Sequence, residues 1–293
     1  FIMVLLVAAG IYLRRRSVIT DEGRDCLSDL LTMLILPCNI FLSFEGNTDM
    51  SALKSSLLTV IISVLVMLCT AILGKVIYRH REERKAKVFR YGLVNSNALF
   101  IGLPIIQSLL GDAGVLQLSM YMIFVRMFCW SYGLSLYTGV KSDWKGSFKR
   151  LLTHPCMIAA ALGVAAMVTG IRLPAFLDRT LQYVSSCLMA LSMLLIGTRV
   201  CGIRPGDLKD KDYHIAAALR LIVLPLLALL LLRPLHLDDC VWRTIYLLTA
   251  MPCGTLTAMQ AELYGGDSRF AARAIAYSTL LSLATVPVMS LLL

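Results

Sequence analysis

Residues 55–77 and 215–232 form two long apolar stretches, each interrupted by one basic residue, Lys75 and Arg220. Helices of that length reach across a hydrocarbon layer of ~30 Å. Inside such a layer the backbone must satisfy its own hydrogen bonds, which leaves helices or closed barrels. Barrel strands would alternate apolar and polar residues, and these stretches do not. The chain is therefore expected to be an all-α polytopic membrane protein. Its composition agrees: 58% of residues are hydrophobic and 16% charged, where a soluble domain carries about a quarter charged residues.

Hydropathy divides the chain into ten spans, near 1–13, 25–44, 54–78, 90–110, 115–139, 151–170, 180–200, 213–232, 240–264 and 270–293. Of the 28 Lys and Arg residues, 21 fall in odd-numbered loops and their flanks, 5 in even-numbered ones, and 2, Arg126 and Arg220, inside spans. Short loops rich in Lys and Arg stay cytoplasmic. Both termini are then expected outside the cytoplasmic (inner) membrane. The net charge of +10, which in a soluble protein would suggest nucleic acid, reads instead as a topology signal, and no nucleic-acid partner is expected. The first span reaches Arg14-Arg15-Arg16 after about a dozen apolar residues, short of the ~20 a crossing needs. Residues lost in front of Phe1 are expected. A cleaved signal peptide is not, because the basic cluster follows the apolar run.

Most of the nine cysteines sit inside apolar runs (Cys38, Cys69, Cys129, Cys187, Cys253) and none forms C-x-x-C, so they read as small packing residues. His80, His154, His214 and His236 lie near span ends, without an H-x-x-x-H pair. Neither a metal site nor another cofactor is expected. An intramembrane enzyme would need a base and nucleophile within reach, and a sensor would need a soluble output domain. The sequence offers neither, so a non-enzymatic role is expected.

The loop at 141–150 separates two halves, 1–140 and 151–293, of five spans each. Because five is odd, the second half must run with inverted topology, the arrangement of inverted-repeat transporters. Sliding the chain by 155 residues lays Gly111-Asp112, after span four, on Gly266-Asp267, after span nine, and Asn97 on Pro252. These two spans are also the interrupted ones. Span four carries Asn95-Ser96-Asn97 and then Gly102-Leu103-Pro104. Span nine carries Pro252-Cys253-Gly254-Thr255. Proline removes a backbone donor and clashes with the preceding turn. Within a bilayer such breaks persist only where protein or a wet cavity covers them. Short, broken spans at matching positions of two halves point to a midplane binding site, whose half-helix N-termini favour an anion.

The chain resembles the auxin efflux carrier family, mostly bacterial permeases related to the plant PIN auxin exporters. The resemblance rests on Ala9-Gly10-Ile11-Tyr12-Leu13-Arg14-Arg15-Arg16 and Leu36-Pro37-Cys38-Asn39-Ile40-Phe41. It continues through Asn95-Ser96-Asn97, Ile101-Gly102-Leu103-Pro104 and Leu110-Gly111-Asp112. It ends on Met251-Pro252 and Ala261-Glu262-Leu263-Tyr264-Gly265-Gly266-Asp267. It implies ten helices in two inverted repeats, with four and nine crossing at their breaks. Spans one, two, six and seven would form a scaffold and homodimer interface, and the others a moving, elevator-like transport domain. It implies secondary transport of small organic anions, either carboxylates such as malate and malonate or auxin-like acids. A sodium-coupled symporter of the bile-acid type shares this architecture and is the alternative.

The expected substrate-binding residues are Asn39, Asn95, Asn97, Pro104, Arg126, Pro252, Gly254 and Thr255. Asn95 and Asn97 would either donate to a carboxylate or cap a half-helix. Arg126, at a depth where charge costs ~3 kcal/mol, would attract the anion or pair with Glu262. Arg220 is read as snorkelling toward the cytoplasmic end of its span. Gln260 and Glu262 are the candidates for proton or sodium coupling, Glu262 through a pKa raised by burial.

Overall fold

The computed structural model describes residues 2–45, 50–79, 82–139, 146, 152–201 and 211–293. The linker expected at 141–150 lies outside the described residues apart from Gly146. Among the described residues the chain is all-helical, apart from one isolated bridge considered below. In chain order the helices are α1 (Ile2–Arg15), α2 (Asp21–Leu30), α3 (Leu36–Glu45), α4 (Met50–Ile77), α5 (Glu83–Val94), α6 (Leu103–Thr138) and α7 (Pro155–Thr169). They continue as α8 (Ala175–Val200), α9 (Lys211–Ala218), α10 (Leu224–Leu232), α11 (Asp239–Ala250), α12 (Leu256–Leu263) and α13 (Ser268–Ser290). Among the described residues, six helical segments are long and apolar enough to cross a membrane: Asp21–Phe44, Leu57–Ile77, Ala98–Met122, Ala175–Val200, Lys211–Leu235 and Ser268–Ser290. The apolar Pro155–Thr169 is shorter. The protein is a polytopic membrane protein.

Local chemistry sets the ends. Thr20 accepts from the Gly23 amide at the start of α2, Asp238 from Cys240 at α11 and Asp267 from Phe270 at α13, each satisfying a donor the helix leaves open. The span expected from residue 90 begins earlier, at Glu83, because Glu83 and Lys87 pair at 2.9 Å across one turn and extend a helix that hydropathy cannot see. Spans four and five are joined through Gly111, which bends α6 at φ +64. At the corresponding turn of the second half the left-handed glycine is Gly265, one residue out of step with the 155-residue register.

Among the described residues, three helices contain a wide π turn: Leu31–Ile35, Ala98–Gly102 and Leu219–Val223. Each runs into a Leu-Pro pair, Leu36-Pro37, Leu103-Pro104 or Leu224-Pro225. Proline has no N–H, and its ring crowds the carbonyl four residues back. Here the leucine amide bonds five residues back instead, Leu36 to Leu31, Leu103 to Ala98 and Leu224 to Leu219. The widened turn absorbs the crowding without a sharp break.

The helices sort into two packed groups. Helices α1, α2, α3, α7 and α8 contact one another, with α1 against α8 and α3 against α7 as the most extensive pairs. Helices α4–α6 and α9–α13 form the second group, which meets the first through α3, α8 and the turn at Ala98–Gly102. Lipid tails are as apolar as side chains, so helix pairing in a bilayer rests on close packing. The α1–α8 seam does so with glycine on both sides. A Cβ on Gly10 would overlap the Leu194 carbonyl, and one on Gly197 the Val7 carbonyl, with Gly10 Cα only 2.8 Å away. Backbone cannot step aside as a side chain can. Gly197→Ala is therefore expected to cost about 3 kcal/mol, seen as a fall of roughly 6–12 °C in the unfolding midpoint in detergent. An unchanged midpoint would mean the helices are not that close.

Candidate functional site

Two interrupted helices meet at their breaks. Helix α5 ends at Val94 and α11 at Ala250, and the chain then runs extended through Asn95–Asn97 and Met251–Gly254. There the backbones pair antiparallel between Ser96 and Cys253. The Asn97 amide donates to Pro252 O and the Gly254 amide to Asn95 O, both at 2.8 Å. The pairing satisfies backbone groups that each break would otherwise strand. Gly254 permits the approach: a Cβ there would sit 2.8 Å from both Asn95 Nδ2 and Ser96 O.

The crossing is polarised. On one side lie the C-terminal ends of α5 and α11, where Arg220, 5% exposed, donates to Leu93 O at 2.6 Å, Met251 O at 2.9 Å and Leu248 O at 3.4 Å. A guanidinium at two helix C-termini meets two negative dipole ends. On the other side begin the π turn at Ala98 and helix α12, with Asn97 and Thr255 at their N-terminal positions. They border a cavity of about 30 Å³ lined by Asn95, Ser96, Asn97, Arg126, Gly254 and Thr255, with apolar neighbours. That volume holds a water-sized group, and the positive helix ends and Arg126 suit it to negative charge.

Of the expected site residues, the structure brings Asn95, Asn97, Arg126, Gly254 and Thr255 to this cavity, and Pro252 supplies its carbonyl to the backbone pairing. The two asparagines differ. Asn95 Nδ2 already donates to Gly254 O and Thr257 Oγ1, each at 3.1 Å, so its amide fastens the crossing. The Asn97 side chain makes no capping bond and lines the cavity with no hydrogen-bond partner among the described residues. Asn39 and Pro104 lie elsewhere. They line a cavity of about 860 Å³ between the two helix groups, with Gln107, Ser185, Asp112 and Arg172. Asn39 Nδ2 donates there to Gln107 Oε1 at 2.9 Å and Ser185 Oγ at 2.7 Å.

Three expectations need correction. Arg220 does not snorkel; the guanidinium is buried among carbonyls that no side-chain pattern announces. Arg126 makes no ion pair with Glu262 among the described residues, and Glu262 is exposed on α12. Gln260, on the same helix, is fully buried beside Gly133 and Tyr91, so the two coupling candidates do not share one environment. Gln107, Ser185 and Ser96 were missed by sequence reasoning, since isolated polar residues in apolar spans carry no motif.

The sequence model of a family described as membrane transport protein matches this chain twice, over residues 1–147 and 144–290. The chain belongs to the auxin efflux carrier family of membrane transport proteins. An uncharacterized transporter of Methanocaldococcus jannaschii is 23% identical over 300 residues, covering 97% of this chain and 94% of the relative. One of Methanothermobacter thermautotrophicus is 25% identical over 297 residues, covering 99% and 96%. For a carrier of this family, a polarised crossing flanked by cavities is the natural place to look for the substrate.

Proposed function

We propose that this carrier moves small organic anions, mono- or dicarboxylates, by elevator-like alternating access. In this reading ten membrane helices form two inverted repeats of five, joined near 141–150. The double family match, with its boundary near residue 147, supports the repeat. The packing of α4–α6 with α9–α13 supports a body that moves as one against α1–α3, α7 and α8. The observation that carries the function is the cavity where two half-helix N-termini, Asn97 and Arg126 converge without a carboxylate in its lining. An acid's headgroup would bind there, and the larger cavity at Asn39 and Gln107 would admit it from the side of the even-numbered loops. Both termini then lie outside the cytoplasmic membrane. The scaffold helices would form a homodimer; sodium coupling would use the carbonyl oxygen of the buried Gln260, whereas proton coupling would need a titratable group such as Glu262. The bile-acid-type alternative needs Gln260 and Glu262 as one oxygen cluster, and their separate environments favour the first reading.

Uptake of labelled mono- and dicarboxylates and indole acids into proteoliposomes tests this. At least one acid is expected to accumulate. Asn97→Ala, which removes a hydrogen bond to a charged headgroup, should weaken its half-saturation by about tenfold or more. No response across the panel removes the substrate class, and unchanged kinetics in Asn97→Ala removes that residue.

A further inference from the structure

Helix α8 ends among the Arg-rich odd loops, beside a second cavity of about 340 Å³. Its lining includes Arg24 and Asp25 of α2, Arg199 of α8, Arg273 of α13 and Thr255 at the start of α12. Along α8, Asp178 belongs to the large cavity and Arg199 to this one, about 30 Å apart at the helical rise of 1.5 Å per residue. Thr255 also lines the crossing cavity, so the crossing and the inner cavity adjoin.

The arginines of the inner cavity are not alike. Arg24 is matched by Asp21 at 3.1 Å and Asp25 at 3.2 Å, and Arg273 is engaged as well. The partly buried Arg199 side chain makes no hydrogen bond or ion pair among the described residues. It rests on an aromatic face instead, with its guanidinium 5.6 Å from the centroid of the Phe100 ring. Phe100 belongs to the π turn that starts at the crossing, and it lines the crossing cavity. The contact therefore ties α8, of the first helix group, to the second group, beside the space where a headgroup would bind.

A ring holds a cation more weakly than a carboxylate does, and it leaves the guanidinium donors unspent. A carboxylate in the adjoining cavity would offer those donors two oxygens at once. Low-dielectric walls strengthen that attraction. The guanidinium would then leave the ring, and the tie between the groups would open.

We propose that Arg199, seated on Phe100, is a bolt that closes the crossing cavity toward the odd-loop side and is drawn back by an anion. Its release by an anion rests on the transport reading above; the bolt itself does not.

Access to the crossing cavity from the odd-loop side tests this. Leu256 lines that cavity, and Leu256→Cys reports through reaction with an impermeant trimethylammonium thiosulfonate. The reagent is added to the odd-loop face of sealed vesicles holding the full chain. Peptide mass spectrometry separates the reporter from the nine native cysteines. Labelling should be slow without anion and rise about fivefold or more with malonate. Arg199→Met and Phe100→Leu should each give that rise without anion, and the double variant should be no faster than either. Arg199→Met should also melt close to the parent, because it strands no hydrogen-bond partner. Parent-like labelling in either single variant overturns the proposal. So does fast labelling with a large fall in the Arg199→Met melting point, which would mean a loosened fold. Equal acceleration in Arg24→Gln overturns it too, by assigning the effect to the charge of the cavity. Fast variants beside a parent that ignores malonate would keep the bolt and remove its release by that anion. Fast variants with no uptake of any acid would remove the transport reading alone.

Discussion

Replacing Arg220 with methionine is expected to be the most destabilising single change in the protein. Methionine fills much of the same space but leaves the carbonyls of Leu93, Leu248 and Met251 without their donor. Each stranded carbonyl costs about 1–3 kcal/mol. Removing a buried charge also relieves its desolvation, and replacing buried ions by apolar residues is sometimes neutral. That offset is small here, because the guanidinium is stabilised by two helix C-termini that remain in place. A net loss of about 4 kcal/mol follows, or a drop of roughly 8–16 °C in the unfolding midpoint. Arg220→Lys should fall between, since an ammonium cannot reach all three acceptors with the geometry of a planar fork. A methionine variant as stable as the parent would show that the crossing holds without its clamp.

Gly254→Ala is expected to act on transport more than on folding. The added methyl would meet Ser96 O and Asn95 Nδ2 at 2.8 Å. Ser96 belongs to the paired backbone, so the two strands must part by several tenths of an ångström. The half-helix ends around the cavity would then lose their alignment. Displacements near 1 Å in catalytic sites cost on the order of 100-fold, and a loss of similar size is expected in initial uptake rate. The comparison is meaningful only if the variant elutes as a single species and melts within a few degrees of the parent. Near-normal uptake by such a variant would argue against close pairing at the breaks.

Much of the plan is legible in the sequence. Apolar runs and the Lys and Arg asymmetry announce the membrane class, and Pro and Gly with Asn and Thr mark both breaks. These signals are local, carried by residue types that cannot continue a helix. What stayed hidden depends on distant partners. Arg220 bonds carbonyls 127, 28 and 31 residues away in sequence, and a carbonyl has no residue type to read. Asn95 and Asn97 look equivalent as letters; only the placement of Thr257 and the Gly254 carbonyl commits one and leaves the other open. Pro104, from the broken span four, joins Asn39 of span two at the large cavity, because α6 carries Pro104 beyond the π turn toward α3. Glu262, near the Gly265-Gly266 exit, lies on the exposed face of α12, whereas Gln260 two residues earlier is buried.

The three wide turns each hold one residue more than a regular rod of the same span requires. Were the turn at Leu31–Ile35 to tighten, everything after it would advance by about 1.5 Å and swivel by about 100°. Asn39 would swing away from Gln107 and Ser185, unfastening the latch that joins the two helix groups at the rim of the large cavity. A slack residue stored upstream of a proline is thus a built-in length adjustment that one rod can make while its backbone stays hydrogen-bonded.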